Sequence, residues 1–339
     1  MHLPANAYLQ FTDDLQICRA LTGLWQVGGA HGKIDPRRAL PEMFAYHDAG
    51  FTTWDLADHY GPAEDFIGEF RRQLSTQRGT DAVDAMHAFT KWVPRPTTVT
   101  RRIVQDAIDV SRRRMETHVL DLVQFHWWDY ADANYLMALH ELAGLRQAGV
   151  IKHLALTNFD TEHLQIVKEH GIRIVSNQVQ YSLIDRRPER EMVPYCAQEQ
   201  IWLLTYGTLC GGLLSDRFAG AGEPRQADLN TASLRKYKHM IDTWGGWSLF
   251  QELLRVLKLI AVKHDVTIAN VALRYILDKP QVAGAIIGAR LGVSQHRAEA
   301  TRVFGFQLEA MDLDSIHAVT RQGRDLSAII GDCGAEYRQ

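Results

Sequence analysis

The sequence is short of the features that mark most special classes of protein. Cysteine is scarce in its 339 residues: Cys18, Cys196, Cys210 and Cys333 stand far apart, with no Cys-x-x-Cys pair. A disulfide framework and a zinc site built on cysteines are therefore not expected, and a reduced, cytoplasmic setting is the simpler reading. No run of 18 apolar residues occurs, so no membrane span is expected. The opening MHLPANAYLQ has no charged segment followed by an apolar one, which speaks against a secretory signal. Charge of one sign is lacking too. The net charge is −3 with both signs interspersed, and no basic face suited to nucleic acid is visible. No G-x-G-x-x-G follows the first strand-like run, which argues against a dinucleotide-binding Rossmann domain. Low-complexity segments and linkers are missing, so residues 1–339 read as a single domain.

What is present is a repeated alternation. Two short β-prone runs around Thr12-Asp13-Asp14 suggest an N-terminal β-hairpin. Ala20 to Gly29 then reads as a strand running into a glycine-rich loop. Strand-like runs follow at Phe51–Ala57, Ala85–Trp92, Leu120–Trp127, Ile151–Phe159, Ile174–Ser182, Ile201–Gly207 and Val282–Ala289. Segments with helical apolar spacing separate them, as at Pro36–Ala49 and Thr161–His170. From Leu213 to Gly246 the pattern lapses, which predicts a large loop with short helical pieces. Helices near Val293–Val303 and Asp312–Thr320 are expected to finish the chain. Eight strands with little in/out alternation argue for parallel strands buried on both faces. The fold class is α/β, and the count of eight favours a (β/α)8 TIM barrel with an N-terminal β-hairpin and long loops at its C-terminal face. A doubly wound sheet is the alternative.

Four polar residues stand at three successive strand ends. Asp55 and Tyr60 lie in WDLADHYG, Lys91 in FTKW and His126 in LDLVQFHW. Taken singly, each has a bland reading: a cap, a loop aromatic, a paired lysine, a satisfied core histidine. In a parallel barrel the C-terminal strand ends converge on one face, so the four can meet. Together they make a proton-transfer device. A phenol with a pKa near ~10 is a poor acid at neutral pH, and a nearby ammonium lowers that value. A carboxylate keeps the ammonium charged and aimed, and a neutral imidazole can orient a carbonyl oxygen.

At these residues the sequence resembles the aldo-keto reductase superfamily, over roughly residues 10 to 320. DLADHYG is similar to that family's D-x-A-x-x-Y-G pattern, FTKW to its T-K pattern and LDLVQFH to its L-D-L-x-x-x-H pattern. The resemblance implies a (β/α)8 barrel that uses NADP(H), with NAD(H) also open, and Asp55, Tyr60, Lys91 and His126 as catalytic residues. TGLWQ implies Gly23, Leu24 and Trp25 beside the nicotinamide ribose, although Leu24 departs from the usual small polar residue. LTNF implies that Thr157 and Asn158 bond the nicotinamide carboxamide, with Gln178 as third partner and Tyr206 stacked on the ring. Asp55 also borders this site. The loop Gly207, Thr208, Leu209, Cys210, Gly211, Gly212, Leu213 is implied to wrap the diphosphate, its glycines allowing close approach. In GARLGVSQHRAEA the resemblance places Gly288, Arg290, Ser294, Arg297 and Glu299 at the adenosine end. Arg290 is the leading 2′-phosphate ligand there, because a guanidinium matches phosphate geometry. Ala300 replaces the family's usual asparagine.

Trp25, Trp92, His126 and Trp127 are the expected lining of a substrate pocket, and the Trp244-Gly245-Gly246-Trp247 stretch a candidate cover. The expected partner is a small-molecule carbonyl or alcohol. No metal, nucleic acid or membrane partner is expected, and a homo-oligomer is left open. The favoured function is an NADP(H)-dependent oxidoreductase with Tyr60 as general acid/base. The alternatives are a nicotinamide-binding, redox-sensing accessory protein with little turnover and a metal-dependent barrel hydrolase, which Lys91 opposes.

Overall fold

The computed structural model describes residues 2–29, 34–95, 98–293 and 296–338. An antiparallel hairpin, β1 (Tyr8–Thr12) and β2 (Leu15–Cys18), precedes the barrel. Eight parallel strands close on themselves: β3 (Ala20–Gly23), β4 (Thr53–Asp55), β5 (His87–Trp92), β6 (Leu120–Phe125), β7 (Ile151–Thr157), β8 (Ser176–Gln180), β9 (Trp202–Tyr206) and β10 (Val282–Gly288), with β10 pairing to β3. Between and after them run α1 (Pro36–Asp48), α2 (Ala63–Arg78), α3 (Thr80–Asp84), α4 (Arg101–Arg114), α5 (Asn134–Gln147), α6 (Thr161–Glu169), α7 (Met192–Glu199), α8 (Ala232–Trp244), α9 (Gly246–Lys263), α10 (Ile268–Leu277), α11 (Arg297–Arg302), α12 (Ala310–Thr320) and α13 (Leu326–Ile330). No helix among the described residues is long and apolar enough to cross a membrane.

Local chemistry starts the helices where the sequence suggests. The Asp35 side chain accepts from the Arg37 amide just ahead of Pro36, and Asp160 accepts from His163 at 2.8 Å. Each cap pairs an amide that the helix itself leaves without a partner. The hairpin plugs one end of the barrel. Phe11, Leu15 and Ile17 are buried against Leu21, Phe89, Leu122 and Leu204 from four barrel strands, and the Trp202 indole donates to the Phe11 carbonyl at 2.9 Å. The end closed by the hairpin holds the strands' N-termini. The opposite, C-terminal end is therefore the one available to a ligand.

Three expectations need correction. The stretch Leu213–Gly246 is not mainly loop: after two short 3-10 turns it forms the 13-residue α8. Thr231 starts that helix by accepting from the Leu234 amide at 3.1 Å. The buried side of α8 carries Tyr237, Met240, Ile241 and Trp244. Trp244 and Trp247 do not cover a pocket. Both are buried, and the Trp247 indole packs on Phe250 while its N–H holds the Ala221 carbonyl at 3.1 Å. The two tryptophans anchor the long connection to the core. Lastly, the chain does not finish at α12. It continues through α13 and a short turn, Ala335–Tyr337, that returns to the open end of the barrel.

Candidate active site

The site is built on the ends of β4, β5 and β6. Asp55 is the last residue of β4, Lys91 the next-to-last of β5, and His126 follows β6 directly. The chain after Asp55 stays tied to the neighbouring strand. The Leu56 amide donates to the Phe89 carbonyl at 2.9 Å and the Asp58 amide to that of Lys91 at 2.9 Å. A turn then lifts Tyr60, whose amide donates to Ala57 O at 3.1 Å. The same device places His126, whose amide donates to the Trp92 carbonyl at 3.1 Å.

The Lys91 ammonium donates to Asp55 Oδ1 at 2.6 Å and to the Leu56 carbonyl at 3.0 Å. Both side chains are nearly sealed, at 5% and 4% exposure, so each charge depends on the other. The second carboxylate oxygen is held from beneath. Gln124 and Gln178 donate to Asp55 Oδ2 at 2.9 and 2.7 Å, and Gln178 also donates to Gln124 Oε1 at 2.7 Å. Asp55 therefore cannot swing away from Lys91. The lysine nitrogen in turn lies 5.3 Å from the centroid of the half-buried Tyr60 ring. Burial pushes the Lys91 ammonium below its usual pKa, with Asp55 opposing.

Lys91 does not leave the Tyr60 phenol more acidic, as the sequence reading expects. Burial first, then the charge of Asp55, then Tyr337 and Asp58, hold the phenol well above its ordinary value. Tyr60 is thus protonated at neutral pH, the state a proton donor needs.

His126 is buried, and its Nδ1 lies 3.2 Å from the Thr157 carbonyl oxygen. A carbonyl oxygen only accepts, so Nδ1 carries the proton. Burial pushes the imidazole down to about 4, with the Thr157 carbonyl opposing, so the neutral ring presents Nε2 as a lone pair. That atom is buried without a partner among the described residues. In this state His126 accepts a hydrogen bond. It fits the hydroxyl of an alcohol better than the carbonyl oxygen that the sequence reading gave it.

The remaining site candidates divide. Trp92 and Trp127 are core residues packed on Phe125, with the Trp127 indole N–H held by the Asp129 and Asp132 carbonyls. Trp128, 38% exposed, is the tryptophan set edge-on against His126, at 4.4 Å between ring centroids. Trp25 stands half-buried at the start of a 3-10 turn beyond β3. Gly23 ends β3, where a Cβ would meet Ile286, and the Leu24 side chain is sealed in the core. The Thr157 hydroxyl donates to the Gln178 carbonyl at 3.2 Å. Asn158, at φ +59°, accepts from the Tyr206 hydroxyl at 2.8 Å through Oδ1. The Gln178 amide nitrogen faces down to Asp55 rather than out to the mouth.

The loop after β9 is a run of left-handed residues, with φ of +70° at Gly207, +48° at Cys210, +66° at Gly211 and +98° at Gly212. Packing alone already requires two of its glycines. A Cβ on Gly207 or Gly211 would strike the Tyr237 ring of α8, at 2.4 Å from its oxygen and 2.8 Å from a ring carbon. Thr208, Cys210 and Leu213 are buried, and the amides of Cys210, Gly212 and Leu213 close turns within the loop. Leu209 is half-buried, and its carbonyl accepts from Gly212.

At the adenosine end, Gly288 closes β10 against Gln26, and Arg290 is exposed. Arg297 lies over the Tyr46 ring at 5.5 Å with a buried Nη1 lacking a partner among the described residues. Glu299 is already engaged by the Thr267 hydroxyl at 2.8 Å and by His296. Ser294 lies outside the described residues. Among those residues, no cluster of three or more His, Cys, Asp or Glu could hold a metal ion.

The model of the Aldo/keto reductase family matches residues 21–321. The chain belongs to that family. Aldo-keto reductase YhdN of Bacillus subtilis (strain 168) is 25% identical over 319 residues, 90% of each chain. A glycerol dehydrogenase structure from Gluconobacter oxydans superposes with a TM-score of 0.75 at 23% identity, covering 97% of this chain and 98% of the other. An aldo/keto reductase structure from Klebsiella pneumoniae, in complex with NADP and acetate, gives 0.67 at 20% identity, covering 93% and 95%. At those identities the structural likeness speaks to the fold. The chain is thus an aldo/keto reductase family member of the oxidoreductase class with a (β/α)8 barrel.

Two residues of the site escaped the sequence reading. Gln124 carries the floor of the tetrad, and its only signal was a glutamine inside an otherwise apolar strand. Tyr337 reaches the site from the far end of the chain, and nothing in its local sequence marks it.

Proposed function

We propose that this family member interconverts a carbonyl compound and its alcohol with NADP(H), Tyr60 serving as general acid in reduction and general base in oxidation. The observation that carries the reading is the sealed Lys91–Asp55 pair beneath the Tyr60 ring, fixed from below by Gln124 and Gln178. A buried ion pair with every oxygen of its carboxylate engaged is expensive to build, and proton transfer gives it a purpose.

The residues suit a nicotinamide cofactor at both ends. His126 Nε2 and Arg297 Nη1 are buried polar atoms without partners among the described residues. The first faces the reacting end, and the second offers a donor to a 2′-phosphate. Asn158, Thr157 and Tyr206 would hold the nicotinamide, and the Gly207–Leu213 loop would line the diphosphate. The bound cofactor supplies or takes the hydride. Tyr60, protonated at neutral pH, donates to the carbonyl oxygen as negative charge grows there. The Lys91 ammonium then stabilises the phenolate left behind. His126 Nε2 can accept the hydrogen bond of the product hydroxyl once its proton has arrived from Tyr60; in oxidation that single hydrogen turns from His126 to a Tyr60 phenolate, the form the Lys91 ammonium stabilises, before it leaves.

The test is the loss of reduced-nicotinamide absorbance with NADPH and a panel of aromatic aldehydes, aldoses and pyridoxal, wild type beside Tyr60→Phe. Removing a general acid lowers kcat by about 10²–10⁴ while cofactor affinity stays the same. A Tyr60→Phe protein with wild-type turnover would sink the assignment. Tight NADPH binding with no turnover across the panel would favour the accessory-protein reading instead.

A further inference from the structure

The segment after α12 lies beyond the residues that the family model matches. It nevertheless ends inside the site. The Lys236 ammonium of α8 donates to the Tyr337 hydroxyl at 2.6 Å. The Tyr337 and Tyr206 hydroxyls lie 3.0 Å apart, and Tyr206 donates to Asn158 Oδ1 at 2.8 Å. Each hydroxyl has one hydrogen. Because the Tyr206 hydrogen goes to Asn158, the Tyr337 hydrogen must go to Tyr206. The four groups form a one-way chain, Lys236 to Tyr337 to Tyr206 to Asn158.

The same lysine lies over the Tyr206 ring at 5.3 Å and the Tyr337 ring at 4.5 Å. Tyr337 also stands edge-on to His126, with ring centroids 6.0 Å apart. The segment is fastened on both sides of that tyrosine. Glu336 pairs at 2.8 Å with Arg187, which is itself held by Asp185, and Arg338 donates to the Trp127 carbonyl at 3.1 Å. At Gly334, φ +86°, a Cβ would lie 2.1 Å from the Asn158 carbonyl oxygen, so the backbone rests directly on the end of β7.

We infer that residues 332–338 form a strap, clasped by Lys236 and Tyr337, which occupies the nicotinamide partners Tyr206 and Asn158 and must let go of them when cofactor binds. This rests on the cofactor reading above. A carboxamide that hydrogen-bonds Asn158 Oδ1 competes with the Tyr206 hydroxyl. A ring stacked on Tyr206 competes with the Lys236 ammonium for a face. Nicotinamide binding therefore pulls on the same chain of bonds that holds Tyr337. The apparent affinity for cofactor is lowered by the fraction of molecules in which the strap is closed.

The experiment uses the full chain with NADPH as probe. Its dissociation constant is measured by calorimetry for wild type, Tyr337→Phe and Lys236→Met. Amide hydrogen exchange of residues 332–338 is followed with and without NADPH. Each variant removes one link of the clasp and leaves the ring or the stem in place, so each is expected to bind NADPH about fivefold more tightly, the worth of one net hydrogen bond. Saturating NADPH is expected to speed exchange in the strap of the wild type. NADPH binding with equal affinity in all three proteins, and no change in exchange, would overturn the strap while leaving the proposed function standing. Failure of NADPH to bind any of the three would overturn the cofactor reading, and the strap with it.

Discussion

Replacing Asp55 by Asn keeps the shape of the side chain and removes the charge that Lys91 depends on. The amide cannot reproduce the carboxylate in either orientation. Asp55 now accepts from Lys91 at one oxygen and from Gln124 and Gln178 at the other. An amide must point its NH2 either at the ammonium or at the two glutamine N–H groups, a donor against donors. Breaking a sealed ion pair from one side costs about 3–5 kcal/mol, most of it the uncompensated charge left behind. With Lys91 at 5% exposure and only Asp55 and the Leu56 carbonyl bonded to it among the described residues, the upper part of that range applies. The damage has a pH signature. Burial already lowers the Lys91 pKa in the folded protein, and losing Asp55 lowers it further. Between that depressed value and the ordinary ~10.4 of a free lysine, the unfolded chain binds more protons than the folded one. Stability of Asp55→Asn therefore rises as pH is raised through that window, and more steeply than in wild type. The assay is urea unfolding at several pH values, with Lys91→Met and the double variant alongside. Asp55→Asn with Lys91→Met removes the orphaned ammonium, so the double variant is expected to be more stable than Asp55→Asn alone while remaining without turnover. A double variant as unstable as the sum of the singles, or an Asp55→Asn protein as stable as wild type at every pH, would refute the argument.

Other outcomes follow from the same geometry. His126 titrates near 4 when folded and near ~6.5 when unfolded, so the unfolded chain binds the extra proton between those values and stability falls as pH drops through them, by roughly 3 kcal/mol at the low end; His126→Gln should flatten that part of a Tm-versus-pH profile. Arg297→Met should weaken NADPH binding by about tenfold or more and leave NADH nearly unchanged, measured by fluorescence titration; equal losses for both cofactors would remove Arg297 from the 2′-phosphate site. Gly211→Ala forces a side chain into φ +66° and against Tyr237, and should lower Tm by several degrees; an unchanged Tm would mean that α8 gives way there.

The legibility of this molecule in its sequence followed the range of the interactions involved. The barrel could be read because eight apolar runs alternate with helical spacing, and that pattern is local. Asp55, Tyr60, Lys91 and His126 could be read because each sits at a strand end, where topology alone brings side chains together. Their electrostatics could not. Whether Lys91 makes Tyr60 more or less acidic depends on burial and on Asp55, Asp58 and Tyr337 acting together, and no spacing encodes burial. The tautomer of His126 was equally hidden, since it is set by the backbone carbonyl of Thr157, a residue one strand away. Trp92 and Trp127 read as pocket lining because they stand at or just past strand ends, whereas their burial against Phe125 rests on contacts that local spacing does not encode. Tyr337 was the extreme case. It lies 131 positions from Tyr206 in sequence, yet 3.0 Å separates their hydroxyls. Its place is fixed by Glu336 and Arg338 gripping Arg187 and Trp127, and those contacts exist only once the barrel has closed. A residue held by such contacts carries no local pattern, and for that reason the strap is the part of the site that only the folded chain reveals.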